Sequence, residues 1–240
     1  RKPSLNETHV MQQFIKSSFP QAWQTLKRFR QGVLNLRSSR SVFRRIYHDN
    51  SWGDDESKSG PGSNLTNTEV VRDLLPRFLR EVAAESLLDI PCGDLYWMKL
   101  VDLGSIQYIG ADIVPEIIDG NRARYADSGR RFEVLDIVND KLPAADVLLC
   151  RDCFIHLPNN MVQTALSRIC MGPFKYLITS TFVDVEENID IELGGFRPIN
   201  LLKAPFRLPP PLQSLPEGGH EGKSVAIWKC SDLTQHVNSP

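Results

Sequence analysis

Asp152 and His156 stand four positions apart in Arg151-Asp152-Cys153-Phe154-Ile155-His156-Leu157-Pro158. An imidazole titrates near neutrality and is the usual group to take a proton from a hydroxyl. A carboxylate beside it can orient the ring or serve as the base itself. The plainer reading of His156 is a residue that caps or packs against the next helix. Three further carboxylates sit at the ends of apolar runs. Asp89 follows Leu87-Leu88, Asp112 closes Tyr108-Ile109-Gly110-Ala111, and Asp136 closes Phe132-Glu133-Val134-Leu135. Short apolar runs of this kind are buried parallel strands, and the C-terminal ends of parallel strands share one rim, where ligands bind. An acid after the second strand suits the two ribose hydroxyls of a nucleoside, and one after the third can accept from an adenine amino group. Each alone is more often a cap or a turn residue; all three in register point to a nucleoside.

The turn after the first run, Ile90-Pro91-Cys92-Gly93-Asp94, decides which nucleoside. A dinucleotide needs G-x-G-x-x-G, because its pyrophosphate lies on bare backbone at a helix N-terminus. Here only Gly93 is present, Pro91 lacks an N–H, and Asp94 adds negative charge. That chemistry is hostile to a pyrophosphate and suits the sulfonium and α-amino group of S-adenosylmethionine.

These positions require a sheet to hold them. Strands are expected at Ser86–Ile90, Gln107–Ala111, Arg131–Leu135, Asp146–Cys150, Tyr176–Ser180 and Ser224–Lys229. Helices are expected at Leu95–Val101, with Asp94 as N-cap, at Pro115–Tyr125 and at Asn159–Ile169. A further helix carries Val70, Val71, Leu74, Leu75, Phe78, Leu79 and Val82, and Pro76 should kink or divide it. The alternation specifies an α/β, doubly wound, mostly parallel sheet. Residues 182–222 hold six prolines (Pro198, Pro205, Pro209, Pro210, Pro211 and Pro216). With Phe196, Arg197, Phe206 and Arg207 they suggest an irregular cover over the site. Arg197 could hold an anionic group of an acceptor or make an ion pair.

At 240 residues and 27.2 kDa the chain fits one such domain with an extension. From Val10 to His48 there are eight basic residues and no acidic ones, although the whole chain carries −1. This basic arm shows apolar positions at helical spacing, broken near Pro20 and Gly32, and would form a solvated face, an oligomer contact or a surface for an acidic partner. Residues 48–66 are polar and rich in Gly and Ser, yet include Trp52; they read as a lid in preference to a linker. Five cysteines lack framework spacing, and Cys150-x-x-Cys153 has no second ligand pair, so neither a disulfide scaffold nor a metal site is expected. With no membrane-length apolar run and no signal peptide, a cytoplasmic protein is expected.

Asp89-Ile-Pro-Cys-Gly-Asp94, Tyr108-Ile-Gly-Ala-Asp-Ile113, Leu135-Asp-Ile137 and Leu148-Leu-Cys-Arg-Asp-Cys-Phe-Ile-His-Leu157 resemble the successive motifs of class I S-adenosylmethionine-dependent methyltransferases. The resemblance runs from about Asp49 to Lys229. It is strongest to a bacterial subgroup with W-G-x-x-E-S-x-S-G-x-G-S before the core, here Trp52 to Ser63, and W/F-R-P-x-N-L after it, here Phe196 to Leu201. It implies a seven-stranded Rossmann-like sheet with an N-terminal helical extension, organised as an arm (1–47), a lid or linker (48–66) and a cofactor-binding domain (67–240). By position, Asp89, Pro91, Cys92, Gly93, Asp94 and Trp97 would line the methionine end of the cofactor. Asp112 and Ile113 would hold the ribose, Asp136 and Ile137 the adenine. Arg151 and Asp152 would lie beside the reacting methyl, and Trp52, Ser59 and Gly60 would complete the pocket. The expected activity is O-methylation of a sugar or other small hydroxylated metabolite, with His156 or Asp152 as base and Arg197 on the acceptor. The absence of an Asn/Asp-Pro-Pro-aromatic motif after the fourth strand favours oxygen over nitrogen. An RNA or protein acceptor met by the basic arm, or a cofactor-binding protein without catalysis, are the competing readings.

Overall fold

The computed structural model describes residues 39–237, with side chains through residue 233. The expected arm helices therefore lie outside the described residues, apart from helix α1 (39–48). Residues 40–237 belong to a single compact unit. Within it the order is α1, α2 (Glu69–Glu81), β1 (Ser86–Asp89), β2 (Gln107–Asp112), α3 (Pro115–Tyr125), β3 (Arg130–Val134), β4 (Val147–Cys150), α4 (Asn159–Met171), β5 (Tyr176–Phe182), β6 (Gln213–Pro216), β7 (Lys223–Lys229) and α5 (Cys230–Val237).

The seven strands form one sheet in the order β3-β2-β1-β4-β5-β7-β6. Strands β1 to β5 pair in parallel, whereas β7 runs antiparallel to β5 and β6 antiparallel to β7. This is the α/β, doubly wound, mostly parallel sheet anticipated from the alternation of elements. Burial on both faces is what made the strands continuous apolar runs: β4 is buried at every position. On one face α2 and Ile118 of α3 cover Leu87, Tyr108, Val147 and Leu149. On the other, α4 and α5 cover Leu88, Ile109, Leu148 and Trp228. The chain reverses its winding between β1 and β4, so the crevice at that switch point opens at the ends carrying Asp89 and Cys150.

Three expectations need correction. The helix expected at Leu95–Val101 is a single 3-10 turn, Met98–Leu100. Gly93 and Leu95 have φ of 54° and 59°, and a left-handed backbone at two of three positions cannot start an α-helix. Asp94 is thus not a helix cap. Helix α2 runs through Pro76 undivided, because its side toward the sheet (Val71, Leu74, Leu75, Phe78, Leu79) is buried and the packing outweighs one lost hydrogen bond. Finally, the proline-bearing span contains strand β6, a mostly exposed edge strand. The rest of that span is irregular but held by Asn188 and Asn200. The Asn188 amide donates to the Asn200 and Ala204 carbonyls at 2.8 Å each, and Asn200 donates to Val185 O at 2.8 Å. Among the described residues no helix is long and apolar enough to cross a membrane.

Candidate functional site

Asp89 and Asp112 stand on the same face of neighbouring strands, Asp89 opposite Gly110 and Asp112 two residues farther along β2. Both are buried. The Tyr108 hydroxyl donates to Asp89 Oδ2 at 2.6 Å, but burial dominates and pushes the Asp89 carboxyl up to about 7. Asp112 accepts from Gly93 N at 3.2 Å and Val114 N at 2.9 Å. Burial still raises it to about 6. Two buried carboxylates with few donors are short of positive charge and hydroxyl partners, and a ligand presenting either would relieve them. Asp136, two residues past the end of β3, uses its carboxylate to hold its own turn, accepting from Val138 N at 2.8 Å and Asn139 Nδ2 at 3.0 Å. Ile113 is half-buried and Ile137 buried, each next to its Asp.

The turn of Pro91 to Asp94 is covered by the segment before the core. Asp94 accepts from Ser57 Oγ at 2.9 Å, Lys58 N at 3.0 Å and Ser59 Oγ at 3.5 Å, while its own N–H donates to Ser59 Oγ at 3.2 Å. A Cβ at Gly93 would overlap the Ser59 hydroxyl, so only glycine lets this segment lie so close. Gly60 packs on the Trp52 side chain, and a Cβ at Gly62 would stand 2.6 Å from Asp152 Oδ2. Residues 52–63 thus touch the rim at both the β1 and β4 ends. Cys92 is buried beside the Asn121 amide, which donates to Gly93 O at 2.8 Å.

The β4 end holds a group of buried charges. Arg151 Nε donates to Glu217 Oε1 at 2.9 Å, its Nη1 lies 3.1 Å from Asp152 Oδ2, and its guanidinium sits over the Trp97 ring at 5.7 Å. Lys223 Nζ lies 2.7 Å from Asp152 Oδ2 and 3.0 Å from Glu217 Oε2. The Glu217 side chain is 0% exposed and that of Lys223 1%. Asp152, at φ 53°, is fixed by Ser180, whose hydroxyl accepts from Asp152 N and donates to Oδ1 at 2.8 Å. Burial alone would raise the Asp152 carboxyl, but Arg151, Lys223 and Ser180 together hold it well below the usual carboxylate range. A carboxylate so engaged is a weak base.

His156 closes a 3-10 turn, Phe154–His156, directly after this group. Its Nδ1–H donates to Gly195 O at 2.7 Å, and the indole of Trp52 stacks on the ring at 4.6 Å. Burial lowers its pKa, with the Gly195 carbonyl and Asp152 opposing. The ring is therefore neutral near pH 7, with its proton on Nδ1 and a bare lone pair on Nε2, which no described residue hydrogen-bonds. Phe196 and His220 extend the aromatic surface beyond it, their rings 5.0 Å apart.

Arg197, expected to meet an acceptor, is instead buried and committed to the main chain. It donates to the carbonyls of Ile189 (2.8 Å), Phe154 (2.7 Å) and Leu157 (2.9 Å) and to Asn159 Oδ1 (2.8 Å). It staples the turn that carries His156, which corrects the substrate-binding assignment. Glu217 and Lys223 carry no signal in the sequence: one follows a polar edge strand, the other opens β7, and only the tertiary fold brings them to Arg151 and Asp152. Among the described residues no cluster of His, Cys, Asp or Glu could hold a metal ion.

The sequence matches no protein-family model and no curated protein. Solved structures do match. The N-methyltransferase NodS of Bradyrhizobium japonicum, in complex with S-adenosyl-L-homocysteine, is 14% identical. It aligns over 77% of this chain and 98% of that one with a TM-score of 0.54. Magnesium protoporphyrin IX methyltransferase of Synechocystis with bound S-adenosylmethionine is 12% identical over 79% and 95%, TM-score 0.53. Human N-acetylserotonin methyltransferase in complex with S-adenosylmethionine is 12% identical over 78% and 58%, TM-score 0.50. At these identities the likeness establishes the fold, a Rossmann-like methyltransferase sheet.

Proposed function

We propose that this protein is an S-adenosylmethionine-dependent O-methyltransferase whose acceptor is a hydroxyl on a sugar or similar small metabolite. The observation that carries the reading is the pairing, across one rim, of buried electron-rich carboxylates with a neutral histidine whose Nε2 is free. The residues fit the cofactor. Asp89 and Asp112, raised by burial, gain from a nearby cation or from ribose hydroxyls, and the bare Gly93 allows close approach. Bound there, S-adenosylmethionine supplies a methyl group on a positively charged sulfur that leaves as a neutral thioether. Asp112 and Ile113 would hold the ribose, Asp136 and Ile137 the adenine, and Asp89, Asp94 and the Pro91–Gly93 turn the methionine portion. Ser59 closes over that turn, while Gly60 packs on Trp52, which stacks on His156.

The chain's own contribution is alignment and proton removal. His156 Nε2 accepts the acceptor hydroxyl's proton, and the Nδ1–H bond to Gly195 fixes the tautomer and steadies the imidazolium that results. Asp152, held ionised by Arg151 and Lys223, stabilises that imidazolium through its field and is not itself the base.

The test is calorimetric titration of S-adenosylmethionine and S-adenosylhomocysteine into the protein, followed by turnover on a panel of glycosides with labelled cofactor. His156→Ala is expected to keep cofactor affinity and lower kcat by roughly 10²–10⁴-fold. The acid limb of the wild-type profile should fall below pH ~6.5, since burial lowers the imidazole from its ordinary value. Cofactor binding without turnover on any hydroxyl, or full activity in the variant, would remove His156 from the role.

A further inference from the structure

Burying four charged groups is a poor route to stability, because desolvation consumes most of the Coulomb gain. The quartet of Arg151, Asp152, Glu217 and Lys223 is nevertheless almost wholly buried, and it occupies a particular place. Arg151 feels the field of Asp89 on the β1 side. Asp152 acts on His156 on the other. The group thus adjoins the donor rim at one end and the histidine at the other. Two cations stand in it, and they would repel a sulfonium. Asp152 offsets one. Among the described residues the other carboxylate in direct contact with the two cations is Glu217, which reaches Arg151 through two contacts (2.9 and 3.2 Å) and Lys223 at 3.0 Å from the far end of the antiparallel hairpin.

We propose that Glu217 is a positioning residue that brings this quartet to zero net charge, so that the rim tolerates a cationic methyl donor, and that it thereby sets the preference for S-adenosylmethionine over its uncharged-sulfur product. The proposal rests on the reading of the rim given above. Lys223, brought in by the same hairpin, has the opposite influence. Its contact with Asp152 orients that carboxylate, and Glu217 N–H donating to Lys223 O at 2.9 Å ties both to one turn. A unit charge gained or lost beside a buried cation shifts its affinity by on the order of tenfold.

Titration calorimetry with both ligands on wild type and four variants tests this. Glu217→Gln leaves one excess positive charge and is expected to weaken S-adenosylmethionine about tenfold relative to S-adenosylhomocysteine. Lys223→Met leaves one excess negative charge and is expected to move the ratio the other way. The double variant is neutral again and should return to the wild-type ratio, as should Glu217→Asp. A merely structural role would depress both ligands together in every variant, and that result overturns the proposal. Circular dichroism and melting curves report folding; should one single variant not fold, the other carries the opposite sign of the same prediction. If wild type binds neither ligand, the reading of the rim itself fails; if it binds both and the ratio never moves, only the role of Glu217 does.

Discussion

Asp89 shows how much a single buried carboxylate can govern. An unfolded aspartate titrates near 3.9, whereas the folded one sits at about 7 because burial disfavours its charge more than the Tyr108 hydroxyl favours it. Between those two values the folded state binds a proton that the unfolded chain has lost. Stability therefore declines as pH rises through this window, and the full cost applies above 7. A gap of three pH units is on the order of 4 kcal/mol. Asp89→Asn removes the ionisation but keeps an oxygen for Tyr108. Its stability relative to wild type should rise by about 2–3 kcal/mol between pH 5 and pH 8, measured by urea denaturation at both; parallel curves would refute the burial argument. A cation bound in front of Asp89 reverses the sign, so wild-type binding of such a ligand should release a proton near pH 7.

At the scale of elements, the turn from Phe154 to His156 is aimed by Arg197, which satisfies three carbonyls and the Asn159 amide oxygen from one guanidinium. Removing it strands buried acceptors at about 1–3 kcal/mol apiece. Arg197→Met should thus lose a few kcal/mol in denaturation and lower turnover while sparing S-adenosylhomocysteine affinity, since the donor rim lies elsewhere. A residue that held an acceptor would instead leave stability alone and raise KM. The sequence showed where such elements lie only when burial writes itself into composition. The two-sided burial of β1, β2, β4 and β5 demands apolar runs, and the carboxylates that end them stand out. Helical spacing at Leu95–Val101 misled because the left-handed Gly93 and Leu95 break the helix before it starts. Strand β6 is polar and exposed at the edge, so no period marks it. For the same reason Glu217 had no signature: its partners lie 66 and 6 positions away and meet it only once the hairpin folds.

For the molecule as a whole, residues 52–63, the turn after β1 and the β6–β7 hairpin all converge on one rim, so a ligand there ties together segments remote in sequence. Binding to the folded state alone stabilises by about 2.7 kcal/mol at a ligand concentration one hundred times Kd. For a domain of this size each kcal/mol raises Tm by about 2–4 °C, so S-adenosylhomocysteine at that excess should raise it by about 5–10 °C. The same concentration of NAD should raise it far less. Pro91 offers no N–H to a pyrophosphate, and Asp94 already draws the Ser57–Ser59 donors to itself while adding negative charge at the turn. Differential scanning calorimetry with each ligand decides between them: an equal or larger shift with NAD would mean that the rim holds a dinucleotide, and the charge argument from which the functional reading follows would be wrong.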